Sequence, residues 1–297
     1  MYETILVPTD GSECAERAAR HGLALAGRFD AAVHVLGVAD VDRAAGPFNA
    51  GGVSDEFVDR VEAEFESAVE SVADLAPSDA PVRTAVVRGT PGDAIVEYVR
   101  SEGVDLVAMG TQGRRGLRRF VTGSTTEHVV RHAHVPVVTV RQTEGPPVTD
   151  YDRVLVTTDG SDHALAAVDH AVAVADASDA ALHALYVVNI ETLASGPTAA
   201  PPTDLLETLQ EQGREATAEV ADRAEAAGVP AVTEVREGFP GSMILEYAGA
   251  EGVDLIAMGT HGRTGVDRLL LGSTTERTIR RAEVPVMSVH PEGDTGE

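Results

Sequence analysis

Two segments of the sequence have the glycine spacing of an anion-binding loop. Each follows an apolar run and has the pattern Gly-x2-Gly-x9-Gly-Ser: Gly110-x2-Gly113-x9-Gly123-Ser124 and Gly259-x2-Gly262-x9-Gly272-Ser273. A glycine at a strand end permits a sharp turn and a close approach of the backbone. The free amides and the dipole at the start of the next helix attract an anion. The spacing therefore predicts that both segments cradle phosphate.

The distribution of charge favours a bound polyanion at these segments. Residues 111–131 hold five Arg and one Glu, and residues 260–280 hold four Arg and two acidic residues. The whole chain carries a net charge of −25, so the surface outside the two segments is strongly acidic. Such a surface repels other polyanions, and nucleic acid is therefore excluded as a partner.

A structural interpretation of the same residues stays open. Ser124-x-x-Glu127 and Ser273-x-x-Glu276 have the spacing of capping boxes, in which a serine and a glutamate cap the start of a helix reciprocally. A capping box does not need the upstream glycines. Their presence in both segments favours phosphate binding over a structural turn.

Both segments belong to a repeat that fills nearly the whole chain. Residues 252–260 (GVDLIAMGT) repeat residues 103–111 (GVDLVAMGT) at a shift of 149. The segments ILVPTDGS at 5–12 and VLVTTDGS at 154–161 are related by the same shift. We therefore predict two copies of one domain, a short stiff linker and a polar tail, with the boundaries 1–141, 142–150, 151–290 and 291–297.

Short apolar runs alternate with helical periodicity in each copy, which predicts parallel strands joined by crossover helices. The runs at 104–109 and 253–258 are apolar without alternation, as in a parallel strand covered on both faces. In the first copy the predicted strands lie near 3–8, 32–38, 82–87, 105–109 and 136–141, and the predicted helices near 12–27, 55–75, 92–101 and 123–132. The fold class is therefore α/β.

The composition excludes several classes of protein. All 23 basic residues are Arg, so the lysine of a Walker-type ATPase or of a Schiff-base enzyme is missing. Cys14 is the only cysteine, which excludes an intrachain disulfide and a thiolate metal cluster. No charged-then-apolar leader opens the chain, and no apolar run approaches the roughly 18 residues of a membrane span. We therefore expect a cytoplasmic protein with no membrane partner.

The combination of high acidity with Arg in place of Lys is typical of cytosolic proteins from extreme halophiles. Repulsion among acidic side chains weakens when salt shortens the Debye length, which is roughly 3 Å at about 1 M. We therefore expect a salt-loving host, and an acidic protein of a mesophile is the alternative.

In these features the sequence resembles the universal stress proteins in tandem form. Their ATP-binding members have the Gly-x2-Gly-x9-Gly-[Ser/Thr] loop, and an opening strand that ends in Asp-Gly-Ser, as at residues 10–12, is shared as well. The resemblance covers about residues 2–141 and 151–290. It implies two doubly wound domains, each an open five-stranded parallel sheet of order 3-2-1-4-5 with helices on both faces. The ligand would then bind at the switch point between strands one and four.

The resemblance also implies an ATP site in each copy, with magnesium or manganese as the candidate metal. Asp10 and Asp159 would contact the nucleoside, and the backbone near Val38 and Val187 would meet adenine. The glycine loops would hold ribose and phosphates. The implied binding residues are Pro8, Thr9, Asp10, Val38, Met109, Gly110, Gly113, Arg114, Gly123, Ser124 and Thr125 in the first copy, and Thr158, Asp159, Val187, Met258, Gly259, Gly262, Arg263, Gly272, Ser273 and Thr274 in the second.

Two observations limit this assignment. Asp10 and Asp159 each precede Gly-Ser, so an Asx-type turn before a helix is an alternative role for both carboxylates. Thr157 stands where the first copy has Pro8, which makes the second site the weaker prediction.

We predict no catalytic residue. No residue recurs in both copies where it would serve as a general base for water, and no Asp-rich metal cradle accompanies the loops. ATP held without machinery for in-line attack indicates a nucleotide-dependent switch of the stress response, with at most slow hydrolysis. Two alternatives stay open: an ATP-using transferase or hydrolase of the related adenine-nucleotide hydrolase type, and a structural pseudo-dimer without ligand.

The last strand of each copy predicts an interaction between the copies. Residues 135–141 and 284–290 would otherwise leave an apolar strand edge unpaired. Members of the resembled family dimerise through this edge, so we expect an intramolecular pseudo-dimer. Further homo-oligomers and an unidentified protein partner stay open.

Histidines and the single cysteine give weaker signals. His128 and His132 have the i, i+4 spacing of metal ligands and His134 is near, but the second copy does not repeat them, so we predict no metal site. Cys14 lies at the start of a predicted helix, where a thiolate would be stabilised. Its counterpart is His163, so a packed side chain is favoured over a redox sensor.

Overall fold

The computed structural model describes residues 1–45, 54–113, 123–190, 203–262 and 271–290. The chain divides into two compact units, residues 1–147 and 148–297. Within the described ranges no helix combines the length and the apolar character needed to cross a membrane.

Strands and helices alternate along the first unit. The strands are β1 (Thr4–Thr9), β2 (Ala32–Ala39), β3 (Val82–Arg88), β4 (Leu106–Gly110) and β5 (Val137–Val140), and the helices are α1 (Glu13–Phe29), α2 (Val41–Ala45), α3 (Asp55–Ala73), α4 (Pro91–Ser101) and α5 (Ser124–His132). The sequence predicts all of these elements except α2. Its five residues are too few for helical periodicity to be recognised.

The second unit repeats this alternation. Its strands are β6 (Arg153–Thr157), β7 (Ala181–Asn189), β8 (Ala231–Gly238), β9 (Leu255–Gly259) and β10 (Val286–Val289), and its described helices are α6 (Asp162–Ala177), α7 (Thr203–Ala226), α8 (Pro240–Glu251) and α9 (Ser273–Arg281). Pro240 occupies the first turn of α8, as Pro91 does in α4, because the fixed φ of proline suits a helix start.

The strands of each unit pair in parallel. In the first unit the order is β3-β2-β1-β4-β5, and in the second it is β8-β7-β6-β9-β10. The predicted α/β class is therefore confirmed, and each unit has the strand order that the resemblance implied.

Burial explains why the central strands do not alternate. Ile5, Leu6 and Val7 of β1 are consecutive and all fully buried, because helices cover both faces of a parallel sheet. The hydrophobic pattern therefore identifies the centre of the sheet, where β1 and β4 lie side by side.

Gly22 determines how closely α1 packs on the sheet. A Cβ at Gly22 would lie 2.8 Å from Val7 Cγ2 and 3.0 Å from Ala108 Cβ, whereas a Cβ at Gly27 would meet nothing within 4 Å. We expect Gly22→Ala to lower the free energy of unfolding of the first unit by about 1–3 kcal/mol through overpacking. The matched Gly27→Ala should raise it by about 0.5–1 kcal/mol. Urea denaturation measures both, and a Gly22→Ala protein as stable as the wild type would contradict the prediction.

His21 is a buried titratable group on α1. Burial lowers its pKa from 6.5 to about 4, and the neighbouring charges of Arg17 and Arg28 act in the same direction. Between these values the unfolded chain binds a proton that the folded chain excludes. The stability contributed by neutral His21 is therefore fully present above pH 6.5 and is lost as the pH falls toward 4.

We expect this linkage to cost the first unit about 2 kcal/mol of unfolding free energy between pH 7.5 and pH 5. His21→Gln removes the titrating group, so its unfolding free energy should depend less steeply on pH, whatever its absolute stability. Urea denaturation of both proteins across this range measures the two slopes. Equal slopes would show that His21 does not carry the effect.

Candidate functional site

The carboxyl ends of β1 and β4 define a crevice in the first unit. β1 pairs with β2 on one side and with β4 on the other, so the strand order reverses direction between β1 and β4. Doubly wound sheets bind ligands at such a switch point. Thr9 and Asp10 reach this crevice from β1, and Met109 and Gly110 reach it from β4.

Asp10 builds the turn that follows β1. Its Oδ1 accepts a hydrogen bond from the Ser12 amide at 3.1 Å, and Thr9 Oγ1 accepts one from the Gly11 amide at 3.1 Å. Gly11 has a φ of 72°, which favours glycine. Ser12 Oγ then caps α1 by accepting a hydrogen bond from the Ala15 amide at 3.2 Å. The Asx-type turn that the sequence offered as an alternative role is therefore present.

The second carboxylate oxygen of Asp10 faces the glycine loop. A Cβ at Gly113 would lie 2.5 Å from Oδ2 of Asp10, and a Cβ at Gly110 would lie 2.9 Å from the backbone carbon and oxygen of Cys14. Larger residues at these two positions would displace the turn or the start of α1. Asp10 therefore shapes the turn with one oxygen and borders the loop with the other.

Hydrogen bonds join the two ends of the loop. The Gly123 amide donates to the Thr111 carbonyl at 2.7 Å, and Thr126 Oγ1 donates to the Gly110 carbonyl at 2.8 Å. A Cβ at Gly123 would lie 3.1 Å from the same Thr111 carbonyl. These contacts fix the start of α5 beside the end of β4.

The start of α5 corrects the capping-box interpretation. Gly123 is the N-cap residue and makes no side-chain hydrogen bond, while Ser124 is already the first helical residue. Glu127 pairs with Arg131 at 2.5 Å, one turn further along the helix. The serine and glutamate therefore do not form a box. An α-helix leaves its first amides without intrahelical partners, so this N-terminus retains the donors and the dipole that attract an anion.

A cleft of about 800 Å³ opens at this point in the first unit. The predicted residues that line it are Pro8, Thr9, Asp10, Val38, Met109, Gly110, Gly113, Gly123, Ser124 and Thr125. The structure therefore brings together every predicted binding residue of the first copy that it describes. Arg114 of this copy and Arg263 of the second copy lie outside the described residues.

Much of the cleft wall consists of residues that were not predicted. Helix α3 contributes Phe57, Val61 and Phe65, and the charged side chains of Arg43 and Arg60 also line the cleft. The three apolar residues recur every fourth position, which is also the pattern of an ordinary core-facing stripe. Whether these three side chains line a cleft or fill the core depends on how α3 packs, which the sequence pattern does not show.

The turn and the first part of the loop recur in the second unit. Asp159 Oδ1 accepts hydrogen bonds from the Ser161 amide at 3.0 Å and from Ser161 Oγ at 2.6 Å. A Cβ at Gly262 would lie 2.7 Å from Asp159 Oδ2, and a Cβ at Gly259 would lie 2.7 Å from the His163 carbonyl oxygen. The geometry of the first unit is therefore repeated residue by residue.

The second helix N-terminus matches as well. The Gly272 amide donates to the Thr260 carbonyl at 2.9 Å, and Thr275 Oγ1 donates to the Gly259 carbonyl at 2.9 Å. Gly272 is the N-cap without a side-chain hydrogen bond, so the capping box with Ser273 is absent here too. Of the remaining predicted residues, Thr158 and Met258 are buried at strand ends, Val187 is half-buried on β7, and Thr274 lies in the first turn of α9.

Cys14 is a packed side chain. It is 4% exposed, its Sγ donates to the Val140 carbonyl at 3.3 Å, and burial raises the pKa of the thiol. Its position at the start of α1 therefore does not produce a stabilised thiolate.

The histidines near α5 have local partners. His128 Nε2 lies 3.0 Å from Asp93 Oδ1, the rings of His128 and His132 stack at 4.2 Å, and His132 Nδ1 lies 2.8 Å from the His128 carbonyl. Across the described ranges, no three side chains of His, Cys, Asp or Glu converge as metal ligands would.

Comparison with known proteins identifies the family. The sequence model of the universal stress protein family matches this chain twice, at residues 1–141 and 150–290. The chain belongs to the universal stress protein family. The two matches lie in tandem, so both units are universal stress protein domains.

The chain is similar to universal stress proteins from several sources. A universal stress protein of Methanocaldococcus jannaschii is 42% identical over 139 residues, which is 47% of this chain and 82% of that protein. The crystal structure of a universal stress protein from Archaeoglobus fulgidus covers 98% of this chain and 97% of its own, with 25% identity and a TM-score of 0.70. A universal stress protein crystallised in complex with cAMP covers 48% of this chain and 99% of its own, with 29% identity and a TM-score of 0.39.

Proposed function

We propose that each domain binds one ATP molecule at its switch point, and that the chain acts as a nucleotide-dependent switch of the stress response. The observation that carries the proposal is the helix N-terminus at Gly123. It has no side-chain cap, it borders the cleft, and it is joined to the end of β4 beside Asp10. The equivalent N-terminus at Gly272 supports a second site.

The shape and lining of the first cleft suit a nucleotide. Its volume of about 800 Å³ lies within the roughly 300–1,000 Å³ usual for ligand pockets. Apolar side chains on β2 and α3, among them Val38 and Phe65, line one part, and the glycine loop lines another. In this proposal the apolar part takes adenine, Asp10 contacts the ribose, and the loop with Ser124 holds the phosphates.

The glycine positions support a phosphate site that is lined by backbone. At Gly113 and Gly123 a Cβ would crowd Asp10 or the Thr111 carbonyl, so the backbone itself lines the loop. No three metal-ligating side chains converge in the part of the chain that the structure describes. In this proposal a magnesium or manganese ion enters with the phosphates of ATP.

The lining of the first cleft favours a switch over an enzyme. Its described side chains include the carboxylates of Asp10, Asp40 and Glu64 but neither histidine nor cysteine. Asp10 uses Oδ1 in the turn after β1, and in this proposal its other oxygen serves the ribose, so we assign no residue as a general base for water. Hydrolysis is therefore expected to be slow. Rapid turnover that depends on a second substrate would instead identify a transferase of the adenine-nucleotide hydrolase type.

Mass spectrometry of small molecules released from the purified protein, followed by equilibrium dialysis with ATP, tests the proposal. We expect an adenine nucleotide in the released fraction and two bound ATP per chain at saturation. A protein that neither releases a nucleotide nor binds ATP at millimolar concentration would favour the structural alternative without ligand.

The composition and the last strand of each domain bear on where the protein acts and how its domains associate. We place the protein in the cytoplasm of a salt-loving host, where the two domains form a pseudo-dimer and bind a protein partner that is not yet identified. The acidic composition and the apolar sequences at 135–141 and 284–290 support these points. Sedimentation of separately produced domains tests the association.

A further inference from the structure

Three positions around the glycine loop differ between the two domains, and all three are histidine in the second domain. At a shift of 149, Cys14, Gln112 and Arg141 of the first domain correspond to His163, His261 and His290 of the second. The first domain therefore carries one permanent positive charge where the second carries three imidazoles. Imidazole is the side chain whose charge changes between about pH 5 and 8.

The structure gathers the three imidazoles into one cluster. The ring centroids of His163 and His261 lie 6.0 Å apart, and those of His261 and His290 lie 6.2 Å apart. Thr260 Oγ1 lies 3.1 Å from Nδ1 of both His261 and His290. A hydroxyl has one hydrogen to donate, so at least one of these two Nδ1 atoms carries its own hydrogen and donates it to Thr260.

The backbone of two cluster residues, His163 and His261, borders the anion loop. A Cβ at Gly259 would lie 2.7 Å from the His163 carbonyl oxygen and 3.2 Å from that of His261. A Cβ at Gly272, the N-cap of α9, would lie 3.7 Å from the His261 Cα. His261 is thus held between the end of β9 and the helix N-terminus to which we assign the phosphates.

His261 has a buried ring nitrogen whose protonation would need compensation. The Nε2 atom of His261 is buried and has no hydrogen-bond partner among the described residues. A protonated ring has an N–H at this position and a positive charge, and both are costly to bury without compensation. A phosphate in the adjacent loop supplies an opposite charge, so proton binding and anion binding should strengthen each other.

Charged residues lie on the elements next to the cluster. On the turn before α6, Asp159 borders the loop through Gly262. On α9, Glu276 pairs with Arg280 at 2.6 Å, and Arg277 packs against Gly241 of α8. Asp10 is the equivalent of Asp159 in the first domain. This carboxylate is therefore common to both domains and does not make them differ.

We propose that the second site is pH-sensitive: protonation of His163, His261 and His290 tightens ATP binding there, while binding in the first domain does not depend on these groups. The inference rests on the proposed function, because it concerns the same site. It gives the tandem chain one constant site and one that responds to acidification.

Calorimetric titration with ATP at pH 6.0 and 8.0 in 2 M KCl tests the proposal on the full chain. Gly123→Asp isolates the second site, and Gly113→Val, which crowds Asp10, is the substitute if the first variant misfolds. We expect Kd at the second site to be about five- to tenfold lower at pH 6.0, from charges within several ångströms of the phosphates. Gly272→Asp isolates the first site and corrects for protonation of ATP itself.

The matched control replaces the three histidines of the second domain by the residues at the equivalent positions of the first domain. With His163→Cys, His261→Gln and His290→Arg in the Gly123→Asp background, ATP should still bind, and its pH dependence should fall to that of the first site. Equal Kd at both pH values, after the same correction, would overturn the pH proposal and leave the proposed function intact. Absence of ATP binding at the second site at both pH values would overturn both.

Discussion

Gly123→Asp is expected to abolish ATP binding in the first domain while α5 remains folded. Gly123 is the N-cap of α5 with φ −63° and ψ 144°, a conformation that Asp adopts readily. Asp is among the best N-cap residues, because its carboxylate accepts hydrogen bonds from the amides of the first turn. Those are the amides we assign to the phosphates. The substitution therefore supplies an internal anion that competes with the ligand and repels it.

Gly272→Asp should have the same effect in the second domain, where the N-cap has φ −57° and ψ 138°. Calorimetric stoichiometry should be near two ATP per wild-type chain and near one for each variant. At a ligand concentration about 100 times Kd, loss of one site removes about 2.7 kcal/mol of stabilisation from its domain. This corresponds to a ligand-induced rise in melting temperature that is smaller by roughly 5–11 °C.

Two kinds of control isolate the cause. Gly27→Asp and Gly249→Asp add the same carboxylate where a Cβ would meet nothing within 4 Å, and should leave the stoichiometry at the wild-type value. Gly123→Ala adds a Cβ 3.1 Å from the Thr111 carbonyl without a charge, and should weaken binding less than Asp does. If Gly123→Asp binds ATP with the wild-type stoichiometry, the helix N-terminus is not the phosphate site.

The melting temperature is expected to rise steeply with KCl. The chain carries a net charge of −25, and α3 alone has seven acidic residues against one Arg. At about 0.01 M salt the Debye length is roughly 30 Å, so acidic side chains repel each other across a whole domain. At about 2 M this repulsion is confined to near neighbours. We expect a rise of about 10 °C or more between these limits, because each kcal/mol corresponds to roughly 2–4 °C for a domain of this size.

A charge variant separates screening from the general strengthening of hydrophobic burial by salt. Glu66 and Glu70 are exposed on α3. Glu66→Gln with Glu70→Gln should raise the melting temperature at 0.01 M KCl and leave it nearly unchanged at 2 M. Differential scanning calorimetry measures both. A wild-type melting temperature that is flat across this range would rule out self-repulsion as a determinant of stability.

The repeat, the strand positions and the glycine loops are encoded locally, and the sequence alone was sufficient to predict them. β1 and β4 are consecutive apolar runs because both faces of a parallel strand are buried. The glycines of the loop are required by close contacts with neighbouring backbone and aspartate atoms, which the spacing indicated before any contact was known. Nearly all described elements of the first domain could therefore be predicted from patterns of a few residues.

Tertiary structure decided which of two locally equivalent roles a residue takes. Ser124 and Glu127 have the spacing of a capping box, but the Gly123 carbonyl accepts the Glu127 amide, so Gly123 is the N-cap. The bond from the Gly123 amide to the Thr111 carbonyl holds this N-cap across the loop from the end of β4. Phe57 and Phe65 have the spacing of core residues, and only the position of α3 over β2 makes them a cleft wall.

The histidine cluster shows the same limit most clearly. His163, His261 and His290 are separated by 98 and 29 residues in sequence and have no motif spacing, so nothing local relates them. They meet because α6, β9 and β10 converge on Thr260 at one end of the sheet. Sequence patterns determine the elements and their loops, because those depend on near neighbours. Which distant side chains share an environment is determined by packing, and the pH dependence that we propose for the second site rests on it.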